Sequence, residues 1–476
     1  MKKLTLSVLI LIPLPAMLGC SLAPEYHPPF MDIPPTYKEA GKWISAKESR
    51  IDHGKWWEIY HDPVLNQLEE EVTHCNQDLK AALWRYENAR AAVMVAESGY
   101  YPNFTAMADV NRQQTSVNIA NPSTNRRYND RLLGVDLSYE LDVWGRVRNT
   151  VASAKHLAKA SEADLAAADL SLHALLASNY FSMQGAKVSV QALEELVNAY
   201  EKALALTLYR FEGGAAPEVD VDQAKTQLEN AKTLTTDMRL KLAQFEHAVA
   251  VLTGKVPSAF SMPCGEEHAV LPTITPILPS TLLQRRPDIA SAEQHVMAAN
   301  AEIGVARAAF FPDINLVGDI GVESASFRNL LGMPSLFWSL GPTLAQTLFD
   351  GGKISGQLAQ ARASYYATVA NYRQTVLNAF QEVEDNLAAQ RLLAKETISQ
   401  TEATAAAKRA LIQSVHRYEG GLTTYLDVVV AQNTYLQAKL ASIDLNTRRQ
   451  IASVTLIKAL GGGWCDSNSQ PASLTG

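Results

Sequence analysis

Glycine and proline are nearly absent from residues 357–460 of this chain. Neither occurs from Gln357 to Glu419 or from Leu422 to Leu460, and no proline lies between Thr343 and Gln470. Both residues break helices, so such runs exclude a fold of short helices and point to very long ones. Catalytic signatures are missing too. There is no H-E-x-x-H, no G-x-S-x-G, no glycine-rich nucleotide fingerprint and no C-x-x-C, and the ten histidines are scattered. No enzyme is expected from this, and no metal or cofactor. Positive charge is in deficit. Once Lys2 and Lys3 are set aside, 40 basic residues face 49 acidic ones, which does not suit a nucleic-acid binder.

The uninterrupted runs are filled with Ala, Leu, Gln, Glu, Arg and Lys, all good helix formers. Gln357 to Glu419 is 63 residues, roughly 95 Å of helix at 1.5 Å per residue. With Leu422 to Leu460 it predicts one long αα-hairpin, reversing at Arg417-Tyr418-Glu419-Gly420-Gly421. A second hairpin precedes it. Arg146 to Glu212 is broken only by Gly185, Gly213-Gly214 and Pro217 follow, and Glu218 to Thr253 is again free of both breakers. The tips match at an offset of 207: Arg210 with Arg417, Gly213 with Gly420, Gly214 with Gly421, Asp220 with Asp427. A glycine pair and an aspartate matched at one offset mark a duplicated, domain-sized unit.

Shorter helices head each repeat. Asp78 to Ser98 ends before Tyr100-Tyr101-Pro102, and Asp288 to Ala308 before Phe310-Phe311-Pro312, at an offset of 210. After each proline the apolar period changes from 3.6 to 2. Strands are expected at Asn103–Gln113, Leu133–Leu141, Ile314–Val322 and Leu336–Leu348, with polar loops at Thr115–Asp130 and Glu323–Pro334. Each strand has the length of a tilted bilayer-spanning strand. Glycine-containing joints, Asp142-Val143-Trp144-Gly145-Arg146 and Phe349-Asp350-Gly351-Gly352-Lys353, then turn the chain from strand to helix.

At the N-terminus, Lys2 and Lys3 precede an apolar core from Leu4 to Leu18, too short to span a bilayer comfortably. Met17-Leu18-Gly19-Cys20 resembles a bacterial lipobox, which implies a lipid on Cys20 and outer-membrane sorting; the alternative is an ordinary signal peptide cleaved elsewhere. A proline-rich tether follows (Pro24, Pro28, Pro29, Pro34, Pro35), expected to be extended with no core of its own. The expected layout is a signal peptide over 1–19, a lipid-anchored tether segment over 20–75, repeat 1 over 76–253, a proline-rich linker over 254–284, repeat 2 over 285–460 and a tail over 461–476.

Four strands cannot close a barrel, and an open edge cannot exist in lipid. Copies must therefore associate. Three would supply 12 strands; closure alone also allows two or four.

The chain resembles the TolC-type outer-membrane efflux ducts, in the lipidated branch that includes OprM and CusC. The likeness is carried by Leu18-Gly19-Cys20, Leu283-Gln284-Arg285-Arg286-Pro287-Asp288-Ile289, Ala298-Ala299-Asn300, Ala306-Arg307-Ala308-Ala309-Phe310-Phe311-Pro312, Tyr425-Leu426-Asp427-Val428 and Ala459-Leu460-Gly461-Gly462-Gly463-Trp464. It implies an α+β membrane protein: a homotrimeric 12-stranded β-barrel continued by a long α-helical barrel across the periplasm. It also implies a periplasmic adaptor and an inner-membrane pump, commonly of the resistance-nodulation-division class. The function implied is a passive exit duct for drugs, other small toxic compounds or metal ions. The alternatives are a type I secretion duct, a general porin, against which the helical runs argue, and a non-channel coiled-coil scaffold, against which the strands and lipobox argue.

The tips, with Gly213, Gly214, Gly420 and Gly421, are expected to meet the adaptor, although the glycines serve equally to end helices. The resemblance places Asp220 and Asp427 near the inner constriction, where three symmetric aspartates would form a cation-attracting ring. The alternative is that both are solvated first-turn residues favoured by the helix dipole. Tyr418 matches a position that latches neighbouring helices in the closed state. Val430 stands where a second acidic residue is common and offers a hydrophobic constriction instead, and Thr423 stands where one relative has a latching Arg. Cys264 and Cys465 both fall in belt segments, and the periplasm permits them to pair.

Overall fold

The computed structural model describes residues 21–40, 55–116, 118, 120, 127–262, 271, 272, 274 and 279–464. Cys20, Cys264 and Cys465 lie outside them. In chain order the elements are α1 (Pro63–Cys75), α2 (Gln77–Glu97), β1 (Asn103–Gln114), β2 (Arg127–Glu140), α3 (Arg146–Glu212) and α4 (Glu218–Leu252). There follow α5 (Pro279–Arg285), α6 (Pro287–Ala308), β3 (Asp313–Ser324), β4 (Leu336–Ala345), α7 (Lys353–Glu419) and α8 (Tyr425–Ala459). No helix among the described residues is long and apolar enough to cross a membrane.

The four long helices fall in the runs poor in glycine and free of proline, and α3 and α7 each run for 67 residues. Helix α7 starts four residues before its expected first residue and takes in Gly356. Asp350 explains this: its carboxylate accepts from the backbone N–H of Gly352 (2.8 Å) and Ile354 (2.7 Å), which starts the helix early. Asp142 does the same for Val147 (3.0 Å) and Arg148 (2.9 Å) at the head of α3. Strand β2 begins at Arg127, so the first polar loop is shorter than Thr115–Asp130. Two helices lie where none was expected. Helix α1 is capped by Asp62, which accepts from Val64 and Leu65, with Pro63 in the first turn. Helix α5 begins on Pro279, inside the proline-rich linker.

The chain divides into two compact units. One holds Met1–Phe30, Arg85–Glu162 and Ser291–Arg373, and the other Met31–Trp84, Ala163–Ala290 and Gln374–Gly476, in their described parts. Each draws on both repeats, because strand pairs with strand and helix with helix across the duplication.

The first unit contains one antiparallel sheet in the order β1-β2-β3-β4. Its register stacks Phe104, Leu137, Gly318 and Leu340 in one row, Ala106, Val135, Ile320 and Trp338 in the next, and Ala108, Leu133, Val322 and Leu336 in a third. These rows share a face because alternate residues of a strand do. Rows on the opposite face include Thr105, Asp136, Asp319 and Ser339. The sheet thus has one continuous apolar face, on which Phe104, Trp338 and Leu340 are exposed. Among the described residues, strands β1 and β4 pair on one side only. The tether from Ser21 to Phe30 forms no helix or strand and is held by helices: Arg307 donates to the carbonyl of Leu22 (3.0 Å) and Asn300 to that of Pro24 (2.8 Å).

In the second unit Trp56, Trp57, Tyr60, Leu65 and Leu68 are buried against Leu176, Tyr180 and Phe181 of α3, Val249 of α4 and Val454 of α8. The duplication appears here as a pair of equivalent joints. Asn76 donates to the carbonyl of Leu252 (2.8 Å), and Arg286 at the matching position donates to that of Ala459 (3.2 Å). Each joins the end of a hairpin to the start of a repeat's short helix. Gly254 (φ +72°) and Gly461 (φ +92°) complete the joints; an added Cβ would lie 2.5 Å from the Cys75 carbonyl oxygen and 2.0 Å from that of Arg285. Arg286 is also held by Asp288 (2.6 Å) and Glu382 (2.7 Å).

One charged pair is fully inside this core. His173 Nδ1 lies 2.6 Å from a Glu69 carboxylate oxygen, its Nε2 lies 3.4 Å from Asp169, and Trp57 stacks on its ring at 4.4 Å. Burial raises the proton affinity of Glu69, against the pull of the His173 hydrogen bond. Burial alone would depress His173, but its hydrogen bonds to Asp169 and Glu69 outweigh that and raise it to about 9. Both groups bind protons more tightly folded than unfolded, so stability falls as pH rises. The histidine's share is complete below its unfolded value of about 6.5 and lost as pH rises through about 9. The heat-denaturation midpoint of the solubilised protein should therefore drop by several degrees between pH 6 and pH 10. The double replacement Glu69→Gln with His173→Gln should remove that slope, and an equal slope in both proteins would show that the pair does not set it.

Candidate functional site at the hairpin tips

Both tips are built the same way. In the first, Gly214 N–H bonds to the Phe211 carbonyl (2.9 Å) and Ala215 N–H to that of Arg210 (2.7 Å); in the second, Gly421 bonds to Tyr418 (2.9 Å) and Leu422 to Arg417 (2.8 Å). These are paired Schellman closures, which need a left-handed residue after the helix. Gly214 (φ +71°) and Gly421 (φ +73°) supply it, and an added Cβ at either would meet nothing within 4 Å. Gly213 and Gly420, one residue earlier, have no positive φ. The backbone thus requires one glycine of each pair.

Asp220 and Asp427 are each the third residue of the returning helix, with their N–H groups on the carbonyls of Pro217 (3.1 Å) and Thr424 (3.3 Å). A carboxylate in a first turn is favoured by the helix dipole. Beyond this the two differ. Asp220 is half-buried, and desolvation raises its pKa against the opposing charge of Arg210. Asp427 is exposed and accepts from the Thr423 hydroxyl. Val430 follows Asp427 by three residues, on the same helix face, and is 58% exposed.

Tyr418 is buried and meets Tyr425 edge-on at 5.3 Å. Arg210, from the first hairpin, lies 4.5 Å over the Tyr418 ring and donates to the Tyr418 carbonyl (2.9 Å). Ala224, Val428 and Val429 pack round the same tyrosines. Tyr418 is therefore a contact residue, and its partner within the chain is Arg210, which the sequence marks only as a repeat match. No sequence signal separates Arg210 from Arg417. Among the described residues no group of His, Cys, Asp and Glu gathers as a metal site, and Cys75 is a free, exposed thiol.

A sheet with one apolar face and two open edges, on a chain with two long helical hairpins, defines a channel-forming protein of the outer membrane. The chain belongs to the outer membrane efflux protein family, whose model matches residues 69–255 and 278–462. Outer membrane protein OprJ of Pseudomonas aeruginosa is 34% identical over 459 residues, covering 95% of this chain and 94% of its own length. The cation efflux system protein CusC of Escherichia coli is 30% identical over 452 residues, covering 94% and 97%. Among solved structures, the CmeC outer membrane channel of Campylobacter jejuni matches with a TM-score of 0.89 at 28% identity, over 94% of this chain and 96% of that one.

The Arg210–Tyr418 contact ties the two hairpins at their tips. A cation–π contact and a hydrogen bond from a charged donor together contribute on the order of 1–3 kcal/mol. Arg210→Ala should raise the open probability of single channels in planar bilayers roughly tenfold, the equivalent of about 1.4 kcal/mol. Unchanged opening would mean that the contact does not hold the tips.

Proposed function

We propose that three copies of this chain close into one exit duct of a tripartite efflux system in the outer membrane. The observation that carries the reading is the sheet, with its apolar face, its polar opposite face and its two unpaired edges. Edges exposed to lipid are costly, and pairing β4 of one copy with β1 of the next removes them all. The helical hairpins of the three copies then form the tube on the periplasmic side. A lipid on Cys20 anchors each copy, and the duct is passive, with no chemistry of its own. An adaptor protein joins it to an energised inner-membrane pump of the resistance-nodulation-division class. Relatives are named for antibiotic, toluene, solvent and cation efflux, so small toxic compounds are the cargo we propose.

The adaptor meets the tips around Gly214 and Gly421. Because an added side chain there meets nothing in the chain, bulky replacements at Gly214 or Gly421 should abolish export by cells while trimers and sorting persist. Full export by such trimers would remove the docking idea.

Asp427 lines the resting aperture, with Val430 beside it. Both are exposed in the single chain, whereas Asp220 is half-buried. An acidic ring attracts cations and is blocked by them. Asp427→Ala should reduce cation block and cation selectivity of trimers in planar bilayers, and Val430→Asp should increase both. If Asp427→Ala trimers conduct and select like the parent, Asp427 is only a first-turn residue.

A further inference from the structure

A cavity of about 290 Å3 lies between α3 of the first hairpin and α7 and α8 of the second. Its wall is largely aliphatic, with Leu196, Leu206 and Val415 among its residues. The exposed Lys202 and Glu419 and the buried Tyr425 line it too, as do three further polar side chains: Tyr200 from α3, Tyr418 from α7 and Gln432 from α8. They are 2%, 6% and 5% exposed. The two tyrosine hydroxyls and the Gln432 Oε1 have no hydrogen-bond partner among the described residues.

A buried polar atom without a partner costs about 1–3 kcal/mol. Three around one cavity mark a place where the partner comes from outside the chain. The wall decides what kind. An apolar cavity of about 150 Å3 holds benzene, so this one has room for a substituted ring. Two hydroxyls and one acceptor match a head group that both donates and accepts, such as a hydroxyl. Beside the buried tyrosines a charged head is disfavoured, since the same burial raises the proton affinity of Tyr200 and pushes Tyr425 up to about 12.

We propose that this cavity is a binding site for a small neutral phenol. The ring lies against the aliphatic wall, and the hydroxyl donates to Gln432 Oε1 while accepting from Tyr200 or Tyr418. Such a ligand touches both hairpins and resists their separation. Binding does not depend on the duct reading; the effect on opening rests on it.

The test uses the full chain in nanodiscs, with p-cresol as probe and toluene as the same body without the head. Titration calorimetry should show one saturable p-cresol site per chain, at least about tenfold tighter than toluene, the effect of one to two buried hydrogen bonds. Gln432→Leu, which removes an unpaired buried group and so keeps the fold, should weaken p-cresol about tenfold and leave toluene no weaker. Ala203→Phe, on the cavity wall, should abolish both. Saturable binding by a protein that forms no pores would support the site and sink only the duct reading. Absence of saturable p-cresol binding in the parent, or equal binding in Gln432→Leu and Ala203→Phe, would overturn the proposal.

Discussion

The rest of this structure depends on two unpaired strand edges. Within one chain, β1 and β4 each leave a row of backbone N–H and C=O groups without partners, beside an apolar face fit for lipid. Hydrocarbon offers those groups nothing, at several kcal/mol for each one left unsatisfied. Such a sheet is therefore unfinished in one chain. Everything else in the fold can be read as equipment for closing it.

The duplication supplies that equipment twice. Asn76 and Arg286 occupy equivalent places and bond the final carbonyls of equivalent helices, although one is an amide and the other a guanidinium. What is preserved between the repeats is the donor and the glycine opposite it, not the residue type. At the tips the symmetry is broken. Arg210 crosses to Tyr418, and Asp220 is half-buried where Asp427 is exposed. A pair of hairpins built alike and joined at the tips through an unequal contact has a natural place to come apart.

Much of this was legible in the sequence. The absence of glycine and proline gave α3, α4, α7 and α8 to within a few residues, and the period of two gave all four strands and their apolar face. What stayed hidden depends on partners far away in sequence. Helix α1 is short and begins on a proline, and its worth lies in Leu65 and Leu68 packing on α3. Glu69 and His173 are 104 residues apart, and each alone reads as a surface residue. Arg210 and Arg417 look alike until the fold brings only one of them to a tyrosine. Gly254 and Gly461 did carry a signal, the same offset as the tips, but only the approach of a facing carbonyl shows why glycine is needed.

Closure between copies is the central claim, and disulfide trapping of the edges tests it directly. Within one chain β1 and β4 are separated by two strands, about 14 Å at the usual strand spacing, beyond the reach of a disulfide. In a chain with Cys75, Cys264 and Cys465 replaced by serine, Ser339→Cys would be paired in turn with Thr105→Cys, Asp109→Cys and Asn111→Cys, all on the polar face. Oxidation in outer membranes should link three copies into one covalent species for at least one pair, reversed by reductant. Chains that remain monomeric in every pairing, or that link only in twos, would contradict the account.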